Sequence, residues 1–193
     1  MIADGASADK AVLRRAALAR RAALDPRDVA AAGPALASAL APLLAGAGIV
    51  AAYLSAGTEP PTGPLLELLG DRRLLLPVLR PDADLDWAVW EGRSEPGPRG
   101  TSAPPGPRLG VDAIAGCDVV VVPALAVDRR GVRLGRGGGS YDRALARARG
   151  TVVALLHPGE LVDRLPEDPH DARVDAAATP VAGLVRLSSK MRP

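Results

Sequence analysis

The stretch CDVVVVPALAVD, residues 117–128, decides the fold of this chain. It contains four consecutive valines, and a short run that is apolar throughout indicates a strand buried on both faces, as in the centre of a parallel sheet. The segments GIVAAYL (48–54) and TVVALLH (151–157) have the same character. These segments therefore predict the inner strands of a mostly parallel sheet.

Segments of helical character alternate with these strands along the chain. Such alternation predicts an α/β fold in which helices cover both faces of the sheet. A length of 193 residues suits one substantial domain, so residues 1–193 are expected to form a single unit with frayed ends at about 1–8 and 188–193. Further strands are predicted at 73–79, 85–90 and 181–187, and short helices at 65–69, 141–149 and 159–165.

Two helices are predicted ahead of the first strand. The segment DKAVLRRAALARRAAL, residues 9–24, is rich in strong helix formers. Asp25 is placed as the N-cap of the second helix, with Pro26 at its first helical position. This helix is expected to run to about Leu44, with a kink or a break at Gly33-Pro34.

One side of the first helix carries Lys10, Arg14 and Arg21 at helical spacing. Arginine is abundant in this chain, whereas lysine occurs elsewhere only at Lys190, which suggests a specific role for the lysine at position 10. Periodicity alone predicts that this basic side faces solvent.

Composition narrows the classes of function. The formal net charge is +2 and the sequence pI is about 9.1, with both signs mixed along the chain, which disfavours a nucleic-acid partner and suits an acidic small molecule. The single cysteine, Cys117, is interpreted as a small core residue. No segment has the ~18 consecutive apolar residues of a membrane helix, and no secretory signal is recognised. A cytoplasmic location without a membrane partner is expected.

A glycine-rich loop, DRRGVRLGRGGGSYDR (128–143), joins the predicted central strand to a helix. Ligands of α/β sheets bind at such connections. Its glycines let an anion approach the backbone amides, and Arg133 and Arg136 supply donors suited to phosphate oxygens. The loop has neither a Walker A pattern nor a complete G-x-G-x-x-G fingerprint. It is either a phosphate or nucleotide site, or a flexible loop in which Ser140 or Asp142 caps the helix.

Two aspartates are candidates for metal binding. Asp142 lies at the start of the predicted helix, and Asp171 lies in the charged segment PEDPHDARVD, residues 166–175. Mg²⁺ bound with a nucleotide takes only one or two protein carboxylates, so this pair would suffice if the fold brings it together. His157 and His170 are the only histidines, which disfavours zinc.

Taken together, these segments resemble the 5-formyltetrahydrofolate cyclo-ligase family, also called methenyltetrahydrofolate synthetases. The resemblance covers residues 10 to about 178 and consists of motifs in a fixed order. These are K-x-x-x-R in the first helix, Tyr53-Leu54 followed by Glu59 and Thr62, LLLPV, VVVPALAVDRRGVRLGRGGGSYDR, and LP with HDARVD. The combination of P-x-L-A-x-D, G-x-R-L-G-x-G-x-G and Y-D is specific to this family.

The resemblance implies a fold of the sugar-phosphate isomerase and CoA-transferase type. It also implies an ATP- and Mg-dependent reaction that closes 5-formyltetrahydrofolate to 5,10-methenyltetrahydrofolate and releases ADP and phosphate. In the mechanism proposed for the family, the formyl oxygen takes up the γ-phosphoryl group, N10 attacks the activated carbon, and phosphate leaves. Such a reaction depends on positioning and charge stabilisation rather than on a covalent nucleophile. A monomer is expected.

The same resemblance implies roles for individual residues. Leu54 and Glu59 would contact the folate, Glu59 through hydrogen bonds from the pterin. Asp142 and Asp171 would hold Mg²⁺. The residues assigned to ATP are Lys10, Arg14, Arg133, Leu134, Gly135, Arg136, Gly137, Gly138, Gly139, Ser140 and Tyr141. Of these, residues 136–140 would also touch the folate.

Four positions depart from the family pattern. Ser140 stands where a first tyrosine is common, and Val127 stands where phenylalanine is usual. Glu160 replaces a usual glutamine, and Ala103 stands where a Glu-Pro pair is usual. The last two departures fall in segments that are expected to line the substrate site.

Three other functions stay open at this stage. The first is an ATP-binding regulatory module, which would bind ATP without consuming it when given the folate. The second is an isomerase, lactonase or CoA-transferase of the same fold, which would need no ATP. The third is a nucleic-acid binder that uses the arginine-rich first helix, and its binding would depend steeply on salt.

Overall fold

The computed structural model describes residues 3–70 and 72–188. Four α-helices and twelve strands are assigned in this part of the chain, together with 3₁₀ turns at Pro98–Gly100 and Val111–Gly116. In chain order they are α1 (Ala3–Ala22), α2 (Pro26–Leu44), β1 (Ile49–Ala51), α3 (Gly63–Leu69), β2 (Arg73–Leu79), β3 (Leu85–Val89), β4 (Glu95–Pro96), β5 (Ser102–Ala103), β6 (Val119–Pro123), β7 (Ala126–Asp128), β8 (Arg133–Leu134), α4 (Ser140–Leu145), β9 (Thr151–Leu155), β10 (Leu161–Val162), β11 (Ala176–Thr179) and β12 (Gly183–Arg186).

The main sheet has seven strands in the order β12-β11-β9-β6-β1-β2-β3. Neighbouring strands from β11 to β2 run parallel, and only the two edge strands, β3 and β12, pair antiparallel. The valine run forms β6, the middle strand of the seven. The predicted mostly parallel α/β sheet, with this run at its centre, is confirmed.

The valines of β6 supply both faces of the core. Side chains alternate along a strand, so Val119 and Val121 pack on one face, with α2 and α3, while Val120 and Val122 pack on the other, with α4. All four valines are nearly or completely buried. An uninterrupted apolar run is therefore what a strand between two helical layers requires.

A second, three-stranded sheet in the order β10-β7-β8 lies beside the main one and carries α1. The predicted single strand 117–128 is therefore wrong in one respect, because it divides into β6 and β7, which belong to different sheets. The predicted helix at 159–165 is also wrong. Leu161 and Val162 instead pair in parallel with β7, and this long-range pairing overrides the local helical pattern.

The other predictions of secondary structure had mixed outcomes. The N-cap is confirmed, since Asp25 accepts a hydrogen bond from the Arg27 amide at 2.8 Å and Pro26 begins α2. Of the expected kink or break at Gly33-Pro34, the break is wrong, since α2 is assigned as one helix through both residues. α4 ends at Leu145, short of the predicted 149. Strand β11 was not predicted, because an AAAT segment has little intrinsic strand character.

The sequence predicts frayed ends at about 1–8 and 188–193. Of the residues expected to fray, 3–8 already belong to α1, while 1–2 and 189–193 lie outside the described residues. None of the helices within 3–70 and 72–188 combines the length and apolar character that crossing a membrane requires.

One glycine is required where β9 begins beside β6. An ideal Cβ on Gly150 would lie 2.2 Å from the Cys117 carbonyl oxygen and 2.4 Å from that of Asp118. These are backbone atoms directly before the central strand β6, so they cannot move aside easily. We expect Gly150→Ala to lower the free energy of unfolding by about 3 kcal/mol in urea denaturation. Gly116→Ala is the control, since no atom lies within 4 Å of its Cβ position. Equal stability of the two variants would contradict this packing argument.

Candidate active site

A cavity of about 540 Å³ opens at the carboxyl ends of the central parallel strands. Ligands of α/β sheets bind at this edge, because the strand-to-helix loops converge there. Tyr53 and Leu54 follow β1 and form part of its wall, and Glu59 lies further along the same loop. The glycine-rich loop after β8 forms the opposite wall, including residues 135–142. We call this space the main cavity.

A smaller cavity of about 320 Å³ lies on the other side of the glycine-rich loop. Its lining is mostly charged, and we call it the polar cavity. Its lining residues are Lys10, Arg14, Gly137, Gly139, Asp142, Asp168, His170 and Asp171. Gly137, Gly139 and Asp142 line both cavities. The two cavities therefore adjoin each other along this loop.

Helix α1 holds the glycine-rich loop in place through Arg14. The Arg14 Nε donates a hydrogen bond to the Gly135 carbonyl at 3.0 Å. Gly137 has a φ of +96°, and a Cβ there would lie 3.3 Å from Arg14 Cζ, so glycine satisfies both the backbone conformation and the close approach. Within the described chain, the amides of residues 137–139 donate to no protein acceptor. They are available to an anion.

Arg133 is a buried cation between the loop and the sheet. Its Nη2 donates to Asp142 Oδ1 at 2.8 Å, and its Nη1 donates to the Pro123 carbonyl at 3.3 Å. The guanidinium carbon lies 5.7 Å from the centre of the Tyr141 ring, within cation–π range. The buried Arg133 Nε has no hydrogen-bond partner among the described residues. Arg133 thus keeps one donor available beside the main cavity.

The start of α4 tests the alternative in which the loop is flexible and one of its polar side chains only caps the helix. Gly139, with a φ of +69°, is the N-cap of this helix, and no side chain makes a capping hydrogen bond. Asp142 instead pairs with Arg133, and Ser140 lines the main cavity. Capping by Ser140 or Asp142 is therefore not the role that these side chains have.

The fold brings Asp142 and Asp171 to the same cavity although they are far apart in the chain. Asp142 Oδ1 also lies 3.4 Å from the amide nitrogen of Ala172, the residue after Asp171. In each carboxylate the described residues hydrogen-bond to only one oxygen, Oδ1 of Asp142 and Oδ2 of Asp171. Each therefore keeps one oxygen without a protein hydrogen bond, and carboxylate oxygens are ligands that Mg²⁺ takes.

Lys10 lies against this acidic cluster rather than in solvent. Its Nζ forms an ion pair with Asp168 at 2.6 Å and another with Asp171. Burial alone would lower the pKa of Lys10, but hydrogen bonds to these two carboxylates outweigh it and raise the pKa above its usual value. The hydrogen bond from Lys10 likewise lowers the pKa of Asp168. Lys10 is thus a permanent cation at the polar cavity.

Asp168 and His170 were not predicted as site residues. Together with Asp171, each places a potential ligand atom within 4.8 Å of the others. The signal that could have found them is the clustering of D-x-H-D in residues 168–171. His170 is exposed, and Asp168 is already paired with Lys10.

The predicted folate residues lie at the main cavity. Glu59 Oε2 accepts a hydrogen bond from the Ala56 amide at 2.9 Å, which fixes the carboxylate within its own loop. Its Oε1 lies 3.5 Å from the Nε of Arg136, a mostly exposed side chain. Leu54 is half-buried and packs against the core. Leu134 differs from the other predicted residues, because its buried side chain packs under α1 and lines neither cavity.

A buried ion pair beneath the main cavity was missed by sequence analysis. Arg21 Nε and Nη2 donate to the two carboxylate oxygens of Glu160, both at 2.7 Å, and both side chains are almost fully inaccessible. Glu160 Oε2 also accepts from the His157 amide at 2.8 Å. The predicted solvated face of α1 is therefore wrong for Lys10 and Arg21, because each finds carboxylate partners from the far end of the chain.

The structure also shows where the four residues that depart from the family pattern lie. Val127 is fully buried, so its change from phenylalanine concerns packing. Ala103 packs with Val78 and Ala88 and lines neither cavity. Glu160 acts on the main cavity indirectly, through Arg21, which lines it. Ser140 lines the main cavity directly.

This fold and these two cavities define an α/β protein in which one glycine-rich loop lines two adjoining cavities. The sequence model of the 5-formyltetrahydrofolate cyclo-ligase family matches residues 6–180. The chain belongs to this family.

Two relatives carry the name of this family. A 5-formyltetrahydrofolate cyclo-ligase of Mycolicibacterium smegmatis is 43% identical over 152 residues, which are 72% of this chain and 76% of that protein. The Escherichia coli K12 enzyme of the same name is 34% identical over 141 residues, or 68% of this chain and 77% of its own. The chain is thus an enzyme of the cyclo-ligase class.

Solved structures agree with the fold. The NMR structure of Aquifex aeolicus 5,10-methenyltetrahydrofolate synthetase superposes with a TM-score of 0.75 at 27% identity, covering 95% of both chains. A synthetase of the same kind from Mycoplasma pneumoniae has a TM-score of 0.70, covering 88% of this chain and 97% of its own. At 21% identity the second likeness supports the fold alone. The expected fold class is confirmed.

Proposed function

We propose that this enzyme uses ATP and Mg²⁺ to close 5-formyltetrahydrofolate to 5,10-methenyltetrahydrofolate, with release of ADP and phosphate. The observation that carries the proposal is the arrangement of the two cavities on either side of one glycine-rich loop, with Gly137, Gly139 and Asp142 lining both. A reaction between an organic substrate and a phosphoryl donor needs two such adjoining spaces.

The main cavity is assigned to the folate. Its walls combine apolar side chains, such as Leu54 and Leu79, with a few polar groups, which suits a flat heterocycle. The fixed Glu59 carboxylate would accept hydrogen bonds from the amino and N–H groups of the pterin. Arg136, at the rim, would attract the anionic glutamate tail.

The polar cavity is assigned to the nucleotide phosphates and the metal. Lys10 and Arg14 would contact phosphate oxygens, and the unpaired amides of residues 137–139 would cradle them. Arg133 would add its available Nε from beside the main cavity. Asp142 and Asp171 would hold Mg²⁺, which neutralises charge on the phosphates when it is bound.

The proposed reaction uses these groups for positioning and charge stabilisation. The formyl oxygen attacks the γ-phosphorus and ADP leaves; N10 then attacks the activated carbon and loses its proton, and phosphate leaves. Negative charge spreads over the transferring oxygens, and fixed donors from Arg14 and the loop amides stabilise it without reorganisation. No side chain has to form a covalent bond. We expect the enzyme to act as a cytoplasmic monomer without nucleic acid or a membrane.

A turnover assay tests the proposal directly. Purified protein is mixed with 5-formyltetrahydrofolate, ATP and Mg²⁺, and the near-ultraviolet absorbance of the methenyl product is followed. The expected result is a signal that requires all three components. Binding of ATP by a folded protein without turnover of the folate would contradict the proposal and favour the regulatory module.

The role of Glu59 gives a prediction of its own. Glu59→Gln removes the charge but keeps the size, so it weakens the hydrogen bonds that the pterin donates. We expect the KM for 5-formyltetrahydrofolate to rise roughly tenfold or more, while the KM for ATP stays unchanged. Glu67→Gln on the exposed face of α3 is the matched control. An unchanged folate KM in Glu59→Gln would remove Glu59 from the folate site.

A further inference from the structure

The hydroxyl of Tyr53 is a buried polar atom without a protein partner. Tyr53 follows β1 at the carboxyl edge of the main sheet, is only 3% exposed and lines the main cavity. Among the described residues its Oη has no hydrogen-bond partner. Buried hydroxyls are nearly always hydrogen-bonded, so an exception at a cavity wall indicates a group kept for a ligand.

The polar neighbours of Tyr53 are committed to other partners. Arg21 and Glu160 hold each other through two hydrogen bonds at 2.7 Å. Glu59 is held by the Ala56 amide. Rotation of Arg21, Glu160 or Glu59 to reach Oη would therefore break one of these hydrogen bonds.

The hydroxyl stays protonated at every physiological pH. Burial, followed by the nearby negative charge of Glu59, raises the pKa of Tyr53 well above its usual value. A neutral phenol can donate one hydrogen bond and accept others. The neighbouring Glu59 carboxylate can only accept hydrogen bonds, so the Tyr53 hydroxyl adds a hydrogen-bond donor to this part of the cavity.

We propose that the Tyr53 hydroxyl donates a hydrogen bond to an acceptor on the pterin ring of the bound folate. This inference rests on the proposed function, because it takes the main cavity as the folate site. A pterin presents its ring carbonyl next to an N–H group, so a carboxylate and a hydroxyl side by side complement it. Glu59 would accept hydrogen bonds from the N–H groups of the pterin, and Tyr53 would donate one to the neighbouring acceptor.

The test is Tyr53→Phe, which removes only the hydroxyl. We expect its affinity for 5-formyltetrahydrofolate, measured by titration calorimetry without ATP, to fall roughly tenfold, because a pterin acceptor is buried without a donor. Tetrahydrofolate, which lacks the formyl group, should lose the same factor. The affinity for ATP should not change.

A second readout separates this role from a structural one. An unpartnered buried hydroxyl contributes nothing to the free protein, so the thermal midpoint of Tyr53→Phe without ligand should be equal to or above that of the wild type. Tyr141→Phe is the comparison, since it makes the same change at a half-buried side chain and keeps the ring that Arg133 contacts. Its midpoint in the free protein should also stay unchanged.

Each outcome decides the matter. Equal folate affinity of wild type and Tyr53→Phe overturns the inference, and so does a lowered thermal midpoint with unchanged affinity. A loss confined to the formyl compound overturns the assignment to the pterin ring. Wild-type protein that binds the folate with the Tyr53 effect but does not turn it over would refute the proposed function and leave the inference standing. If the wild type bound no reduced folate, this result would contradict both the proposed function and the inference about Tyr53.

Discussion

Asp142→Asn is expected to lower Mg-dependent turnover by roughly 10²–10³-fold while the protein stays folded. Asp142 lines both cavities and supplies one of the two carboxylates proposed for Mg²⁺. Asparagine removes the charge that holds a hard cation. Its amide oxygen can still accept the hydrogen bond from the buried Arg133, which in the wild type is 2.8 Å long. The loss should therefore be catalytic rather than structural.

The measurement is a titration of turnover against Mg²⁺ at saturating ATP and folate, with circular dichroism to check the fold. A raised Mg²⁺ requirement together with a lower maximal rate is the expected signature of a lost metal ligand. Asp163→Asn is the matched control, because it makes the same change at a side chain that is 98% exposed. A wild-type rate at ordinary Mg²⁺ in folded Asp142→Asn would remove Asp142 from the metal site.

Arg21→Leu should lower the thermal midpoint by roughly 10 °C. Breaking a buried ion pair leaves the remaining carboxylate uncompensated, at a cost of about 3–5 kcal/mol, and each kcal/mol shifts the midpoint of a chain of this size by about 2–4 °C. Here the remaining group would be Glu160, which is completely buried. Because Arg21 also lines the main cavity, folate affinity should fall as well.

The adjacent arginine provides the control. Arg20 also approaches Glu160, at 3.5 Å, but its side chain is 45% exposed, so solvent screens the interaction. We expect Arg20→Leu to shift the midpoint by less than about 2 °C. Glu160→Gln should give an intermediate loss, since an amide keeps one acceptor for Arg21. Equal midpoints for Arg20→Leu and Arg21→Leu would show that the buried pair adds no stability.

Much of the fold could be predicted from consecutive residues. The valine run of β6 and the Asp25-Pro26 helix start were both found correctly. In each case the signal is local: an apolar run buries both faces of a strand, and a cap bonds an amide two residues away. Strands β10 and β11 were missed because their sequences have no such signal, and only pairing with distant strands makes them extended.

The candidate site was predictable to a similar degree. The glycine-rich loop was predicted as a ligand site from its composition and from its place after a central strand. That Asp142 and Asp171 meet was not predictable from spacing, because the intervening chain passes through β9 and β10 before it returns. That the Tyr53 hydroxyl lacks a hydrogen-bond partner was also not predictable, since this depends on the partners of every side chain around it.

The sequence by itself determined the α/β class, the central strand, the glycine-rich loop and the family, since each is encoded in runs and motifs of adjacent residues. Only the tertiary structure decided which charges are buried. Arg20 and Arg21 are chemically identical neighbours, and a partner 139 residues away makes one of them part of the core. Lys10 likewise meets its carboxylates across 158 and 161 residues. Burial of a charge depends on such a distant counter-charge, and no local pattern contains that information.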